Sequence, residues 1–434
     1  MSIYTVIAGD TFDSVSRKVY GTQEHGGLIF SANPGVLEPL QAGDALTIPP
    51  LPLVGGPEVP TAPAPTSTAA VAVAPVAQLQ GAPQSQDEVA ILIDGQRFRG
   101  WESVTITRSL DSFDSVELSA PFDPTDPIHR AVFRPFSFKS VAVYVGTELL
   151  FAGTMVPVIP RRQPSRSSVQ VGCYSRPGVL SDCTPPASAA GAEETPLEFN
   201  NLTLAEIAGR LAAPFGVAVA VAGDVGAAFD RVACRPTSRV AAFLADLARQ
   251  RNLLLSNTVD GALLLRQPRD GGEPVARLRE GAPPLTEVTP QFSPQSYYSH
   301  VSGLEPVTLG TAGGAETVRN PHLDGVVRPF SFTVKDAVGG DVPAAVAAKA
   351  GHMFGNMVSY QASVAGWRDA GGALWSPDTT VTLQAPGAMV YRDYELLVRS
   401  VRLTATASRK SASLGLVLPG AFRGEIPETL PWDD

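Results

Sequence analysis

The sequence predicts a mainly β protein in which two related β-barrel domains flank a small α/β (α+β) insert, preceded by a βααβ module and a Pro/Ala-rich linker. Three observations carry this. Period-2 runs rich in Val, Leu and Thr recur over residues 88–175 and 288–424, cut in the stretch from Ser359 to Phe422 by Gly-Gly and Pro-Asp. Between them, over residues 176–287, the apolar spacing shifts to that of helices. Ahead of both, over residues 52–87, the composition collapses to Ala, Pro, Val, Thr and Gln, which leaves little to build a core.

Residues 1–51 open as a short strand at Tyr4, turn at Gly9-Asp10, and enter a helix with Phe12, Val15 and Val19 at core spacing. Ile29, Ala32-Asn33-Pro34 and a closing apolar run from Leu40 to Ile48 follow, with a second Gly-Asp turn at Gly43-Asp44. This order resembles a LysM domain. The resemblance implies affinity for N-acetylglucosamine polymers such as peptidoglycan, through one loop of Gly9, Asp10, Thr11 and Phe12 and another of Asn33, Pro34 and Gly35. The same loops would serve equally as a protein-docking piece, and that reading is preferred because no lytic chemistry accompanies the module.

Pro57, Pro60, Pro63, Pro65, Pro75 and Pro83 stiffen the linker toward polyproline II. At about 3.1 Å per residue it spans on the order of 100 Å.

In the first strand-rich unit, Val89–Ile93 and Gln96–Phe98 are joined across Asp94-Gly95, a hairpin signal because glycine accepts the positive φ of a primed turn. Ser103–Arg108, Ser115–Ala120, Val141–Val145, Leu149–Val156 and Ser168–Cys173 alternate over strand length, and Arg161, Arg162 and Arg166 read as a solvated hairpin tip. In the insert, Thr203 and Glu206 form a capping box ahead of Leu204, Ile207, Ala208 and Leu211, and Pro214 with Gly216 ends that helix. Val240, Phe243, Leu244 and Leu247 mark a second helix, and a hairpin turns at Asp260-Gly261. The second strand-rich unit includes a helix at about Val342–Met357, the stretch from Ser359 to Phe422, and a tail at 425–434. Its hairpin beginning Glu395-Leu-Leu echoes the one beginning Glu148-Leu-Leu, each followed by a charged tip and an alternating return strand. Two related barrels would give that echo.

Charged residues are 17% of the chain, low enough to suggest that partners cover part of the surface. The formal net charge of -9 argues against a grip on phosphate backbones. Cys173, Cys183 and Cys234 have neither disulfide-framework nor zinc spacing, and the five histidines show no ligand motif. Walker, dinucleotide and Gly-x-Ser-x-Gly motifs are missing, and adjacent Glu193 and Glu194 sit in an Ala/Gly-rich loop unsuited to a glycosidase pair. The expectation is therefore no enzyme, no cofactor and no metal. Neither a signal peptide nor a run of membrane-spanning length is visible, so the product is expected in the cytoplasm, away from membranes, until an assembly carries it out.

Over residues 88–422 the chain resembles the baseplate hub (tail protein P) family of Mu-like contractile-tailed phages. The resemblance rests on Val104-Thr-Ile-Thr-Arg-Ser-Leu-Asp-Ser, Cys173-Tyr-Ser-Arg-Pro-Gly, Leu204-Ala-Glu-Ile-Ala, Leu247-Ala-Arg-Gln-Arg-Asn, Arg279-Glu-Gly and above all Ala365-Gly-Trp-Arg-Asp-Ala-Gly-Gly-Ala-Leu-Trp-Ser-Pro-Asp. It implies a homotrimeric ring whose six barrels adapt a hexameric tail tube to a trimeric central spike, within a virion tail baseplate assembled in the host cytoplasm. The implied partners are further copies of the chain, the tail tube protein, the spike trimer, and baseplate wedge or tape-measure proteins, with DNA passing without specific binding. Trp367, Arg368 and Trp375 are the candidate core or interface anchors. Gln295-Ser-Tyr-Tyr-Ser departs from the Arg-Tyr-Ser common in such hubs, and the N-terminal module lies outside their basic pattern. The alternatives are a peptidoglycan-binding or wall-modifying tail protein acting through the LysM module, and the equivalent hub of a tailocin.

Overall fold

Alternation along the strands decides which residues enter the core. Between Ser115 and Pro121 the residues Val116, Leu118 and Ala120 are buried while Ser115, Glu117 and Ser119 are not, as a pleated strand with one wet face requires. The same reading holds for most of the long strands of the computed structural model. It describes residues 2–7, 10–20, 29, 32–33, 40, 42–48, 86–186, 197–269, 272–304, 315–333, 342–423 and 426–433, and divides into two compact units, Met1–Ala69 and Ala70–Asp434.

In the first unit β1 (Ser2–Thr5) pairs antiparallel with β2 (Ala45–Ile48), and α1 (Phe12–Tyr20) lies between them in the chain. Val6, Phe12, Val15, Ile29, Leu40 and Leu46 form its core. Gly9, Pro34, Gly35, nearly all of the expected second helix and all but the end of the linker lie outside the described residues.

The second unit begins with β3 (Val89–Ile93), β4 (Gln96–Phe98), β5 (Ser103–Ser109), β6 (Ser115–Pro121), the short α2 (Pro127–Val132), β7 (Ser140–Val145), β8 (Glu148–Arg162) and β9 (Ser167–Ser175). Asp94 and Gly95 both take positive φ, as the expected primed turn demands. The insert holds β10 (Glu198–Leu202), α3 (Leu204–Ala212), β11 (Val219–Ala222), β12 (Phe229–Ala233), α4 (Val240–Gln250), β13 (Leu254–Asn257) and β14 (Leu263–Arg266). Thr203 and Glu206 close their capping box at the start of α3. Leu204, Ile207, Leu211, Val240, Leu244 and Leu247 meet in a core separate from that of the large sheet.

There follow β15 (Ala276–Arg279), β16 (Leu285–Phe292), β17 (His300–Leu304), β18 (Ala315–Arg319), β19 (Pro329–Thr333), α5 (Val342–Gly355), β20 (Val358–Ala365), β21 (Thr380–Ala385), β22 (Val390–Thr406) and β23 (Lys410–Val417). β15, which sequence spacing puts with the insert, pairs in parallel with β21. Strands β17, β18 and β19 form a small sheet of their own, in contact with α5.

The two strand-rich units are joined. Their strands make one 13-stranded sheet in the order β16-β20-β23-β22-β5-β6-β9-β8-β7-β3-β4, with β21 and β15 attached along β22. The two expected barrels are thus two halves of one sheet. They share one apolar core, from Val104 and Val171 in one half to Leu383, Val401 and Leu414 in the other.

Candidate functional site

The halves repeat one another strand for strand. Across the first the order is β3-β7-β8-β9-β6-β5, and across the second it is β15-β21-β22-β23-β20-β16. In each, the strands come in the same chain order and take the same neighbours. The hairpins that echo in sequence, β8–β9 and β22–β23, sit at equivalent places, each with a bulge in the first strand, between Met155 and Val158 and between Val398 and Ser400. The first half adds β4, and β3 runs antiparallel to β7 where β15 runs parallel to β21.

The seam between the halves depends on the length of β22. One edge of this strand carries β23 from Leu397 to Ala405. Its other edge carries β21 from Val390 to Leu397 and then β5 from Ser400 to Thr406, with Val401 opposite Arg108 and Leu403 opposite Ile106. Leu110 donates its N–H to the Arg399 carbonyl at 2.9 Å, continuing the pairing across the bulge.

On the face away from the core the joined strands present small polar residues. Ser103, Thr105 and Thr107 of β5 stand opposite Ser119, Glu117 and Ser115, while on the other side Thr404 and Thr406 of β22 stand opposite Thr105 and Ser103. Gln361 and Ser363 of β20 lie beside Gly415 and Ser413. Hydroxyls bond across the strands, Ser103 to Ser119 at 2.7 Å and Thr105 to Thr404 at 3.5 Å. Glu117 stands among these residues, and Glu287, Arg402 and Arg409 line the same surface, so acids offset the bases and the face offers a wettable wall without a cluster of cations to hold phosphate.

Two polar assemblies fasten the seam. At one end the Arg368 guanidinium donates to Asp87 at 2.7 Å, Glu148 at 3.2 Å, the Gly372 carbonyl at 2.9 Å and the Gln86 carbonyl at 3.1 Å, tying the loop before β21 to the start of the first half. Its bond to Asp87 holds the guanidinium protonated beyond its ordinary range. At the other end Asp114 receives the Asn257 amide at 3.2 Å and lies 3.5 Å from Arg108, and Arg266 reaches Asp378 at 3.1 Å. Burial pushes the Asp114 carboxyl up and pulls Arg266 down, against the opposite charges nearby. Insert, first half and second half therefore meet in one charged knot.

Trp367 and Trp375 are both buried in the large core. The Trp367 indole donates to the carbonyls of Thr404 at 3.2 Å and Ser411 at 3.0 Å, close to the tip of the β22–β23 hairpin. Trp375 donates its backbone N–H to the Trp367 carbonyl at 2.9 Å, and its indole N–H has no partner among the described residues. In the N-terminal unit most of the described candidate loop residues are spent on the fold. Asp10 pairs with Lys18 and accepts the Tyr4 hydroxyl at 2.9 Å. The Lys18 bond holds the Asp10 carboxyl down at about 2. Phe12 is in the core, and Asn33 is buried and bonds the backbone of Ile29 and Thr47. Thr11 alone of the described candidates is exposed.

Sequence reasoning missed the seam partners Arg108, Asp114, Asp378 and Arg399. The available signal was a positive charge, Arg399, between the apolar run Leu396–Val398 and Val401 of β22.

Residues 178–267 match the family model for the second domain of baseplate hub proteins of the gp44-like type. Baseplate hub protein gp44 of Escherichia phage Mu is 25% identical over 337 residues, which is 73% of this chain and 83% of that protein. The fold is similar to the 43 kDa tail protein of prophage MuSo2 from Shewanella oneidensis, with a TM-score of 0.65, 24% identity, and coverage of 77% of this chain and 99% of that one. A tail protein from Neisseria meningitidis MC58 is similar at a TM-score of 0.63 and 17% identity, covering 78% of this chain and 99% of that one.

Proposed function

We propose that this chain, a gp44-like baseplate hub protein, is the structural hub of a contractile phage tail and works as a homotrimeric symmetry adaptor between a sixfold tube and a threefold spike. The observation that carries the adaptor reading is the strand-for-strand repeat. Three chains with two equivalent halves present six similar surfaces to one neighbour, while the insert and the β17–β19 sheet, present once per chain, keep threefold symmetry for another. The hydroxyl face of the joined sheet is the wall past which DNA moves, because it offers hydrogen bonds to water and few cations to retain a polyanion. The partners are the tail tube protein, the central spike and neighbouring baseplate or tape-measure proteins, and assembly takes place in the host cytoplasm. A ring contact of this kind buries roughly 2,000 to 5,000 Å².

Sedimentation velocity of the full chain, with images of tail tips carrying a tag at residue 1, tests the reading. Trimers, or rings at the tube–spike junction, are expected. A chain that stays monomeric at every concentration and takes no place in the tail tip refutes it.

The N-terminal module acts as a docking piece. Internal use of Asp10, Phe12 and Asn33 favours this over glycan binding, since those side chains have little left to offer a sugar. Retention of the full chain on peptidoglycan together with loss of turbidity would establish the wall-modifying alternative.

A further inference from the structure

The repeat makes the seam a template for a contact the single chain leaves open. In the second half, the edge of β22 beyond Val398 is filled by β5. The equivalent edge in the first half is that of β8 beyond Met155, which among the described residues pairs with no strand. The equivalent of β5 is β16, whose edge away from β20 is likewise unpaired among the described residues. The match extends to single residues. Val398 donates to the Thr379 carbonyl just before β21, and Met155 donates to the Lys139 carbonyl just before β7, both at 2.8 Å. The residue before each carbonyl, Asp378 or Phe138, has positive φ, 69° and 46°. Asp378, at the closed seam, has its side chain 7% exposed against Arg266. Phe138, at the open edge, is 59% exposed, neighbouring Phe136 is 88% exposed, and Ile159 on β8 is 48% exposed.

We infer that the open edge of β8, Val156 to Arg162 with Phe136 and Phe138 beside it, receives β16 of a second copy of this chain, in the register of the seam between β22 and β5. This rests on the homotrimer reading and says where the copies touch. Carrying the seam register across the repeat sets Val158 opposite Phe292 of the next copy, Ile159 opposite Gln291, Pro160 opposite Pro290, and Arg161 diagonal to Glu287. A second copy is the fitting occupant because both halves of the contact, an open β8 edge and an open β16 edge, lie on every chain, and repeating it closes a ring.

The two prolines give this contact a character the intrachain seam lacks. Gln163 and Arg166 exchange backbone bonds at the hairpin tip, so alternation turns the backbone of Arg162, Pro160 and Val158 toward the open edge. Ser293 donates to Met357, which likewise turns Phe292, Pro290 and Val288 toward theirs. Proline has no N–H, so the central rung of the contact has a donor on neither strand, whereas Leu403 and Ile106 supply both at the equivalent rung of the closed seam. Prolines at the central rung where two open edges would meet weaken their pairing and restrain free chains from associating ahead of assembly.

The test uses the full chain carrying Ile159→Cys and Gln291→Cys, two exposed positions on a rung whose side chains approach closely, oxidised and run without reductant beside unoxidised protein in sedimentation. Noncovalent trimers that become covalent three-chain species are the expected result. Trimers that form no covalent link overturn the edge assignment and leave the trimer standing. A control of Ile159→Cys with Glu287→Cys should link poorly, and equal linking overturns the register. Pro160→Thr with Pro290→Thr should tighten self-association about tenfold per contact by restoring two hydrogen bonds. Unchanged association overturns the role of the prolines, and a monomer in both wild type and this variant overturns the edge pairing and the trimer together.

Discussion

Trp367 and Trp375 provide an internal comparison, because they are equally buried in one core but differ in what the indole N–H does. Trp367→Phe removes the second donor to the Thr404 and Ser411 carbonyls, which stand opposite each other in the β22–β23 ladder, at a cost of about 0.5 to 1.5 kcal/mol. Trp375→Phe makes a similar change of shape but removes an N–H that has no partner among the described residues, so that cost is absent. The difference between the two variants isolates the hydrogen bonds from the cavity. Equilibrium urea unfolding of each full chain reads it. With a slope of about 3 kcal/mol per molar, the Trp367→Phe midpoint should fall roughly 0.2 to 0.5 M below that of Trp375→Phe. Truncation to Trp367→Ala adds the loss of the ring and should cost about 3 to 5 kcal/mol. Equal midpoints for the two phenylalanine variants would refute the assignment of the indole as a clamp on the hairpin tip.

Three further outcomes follow from local geometry. A Cβ at Gly153 would run into the Tyr174 carbonyl and the Phe151 ring, so Gly153→Ala should disrupt the β8–β9 ladder and lower the melting temperature by several degrees, measured by calorimetry. Asp10 has its folded pKa lowered to about 2 from an ordinary 3.8, so its pairing with Lys18 contributes stability above pH 3.8 that is lost as pH falls through about 2. Hydrogen exchange of residues 2–20 in the full chain should accelerate across that window, and Asp10→Asn should abolish the dependence. Burial pushes the Cys173 thiol up to about 12, while Cys183 is only half-buried, so iodoacetamide at pH 8 should modify Cys183 first in the native protein. Mass mapping that finds Cys173 modified first would contradict the packing of the first half.

The insert shows how local rules become visible in a sequence. Thr203 and Glu206 lie three residues apart and bond to each other's backbone, so the helix start could be read without knowing what α3 packs against. The Asp94-Gly95 turn is equally local. The role of Arg368 is not, since its partners Gln86, Asp87 and Glu148 lie more than two hundred residues away. Spacing of apolar residues also could not assign β15, because a four-residue strand in parallel pairing carries no turn to announce its neighbour. Asp10, Phe12 and Asn33 illustrate a different limit. Their residue types suit a binding loop, and only the packing of Lys18, the small core and the β2 backbone reveals that their side chains are occupied.

By itself, the sequence determined the mainly β class, the helical insert, most of the strands and the echo between two hairpins, because alternation, capping and turn chemistry act within a few residues. Tertiary structure decided that β22 outlasts β21 and takes β5 on the same edge, which joins the halves and, among the described residues, leaves the far end of β8 and the outer edge of β16 unpaired. Edge pairing is made by backbone groups that every residue carries, so the side chains record which face of a strand is buried but seldom which strand lies alongside.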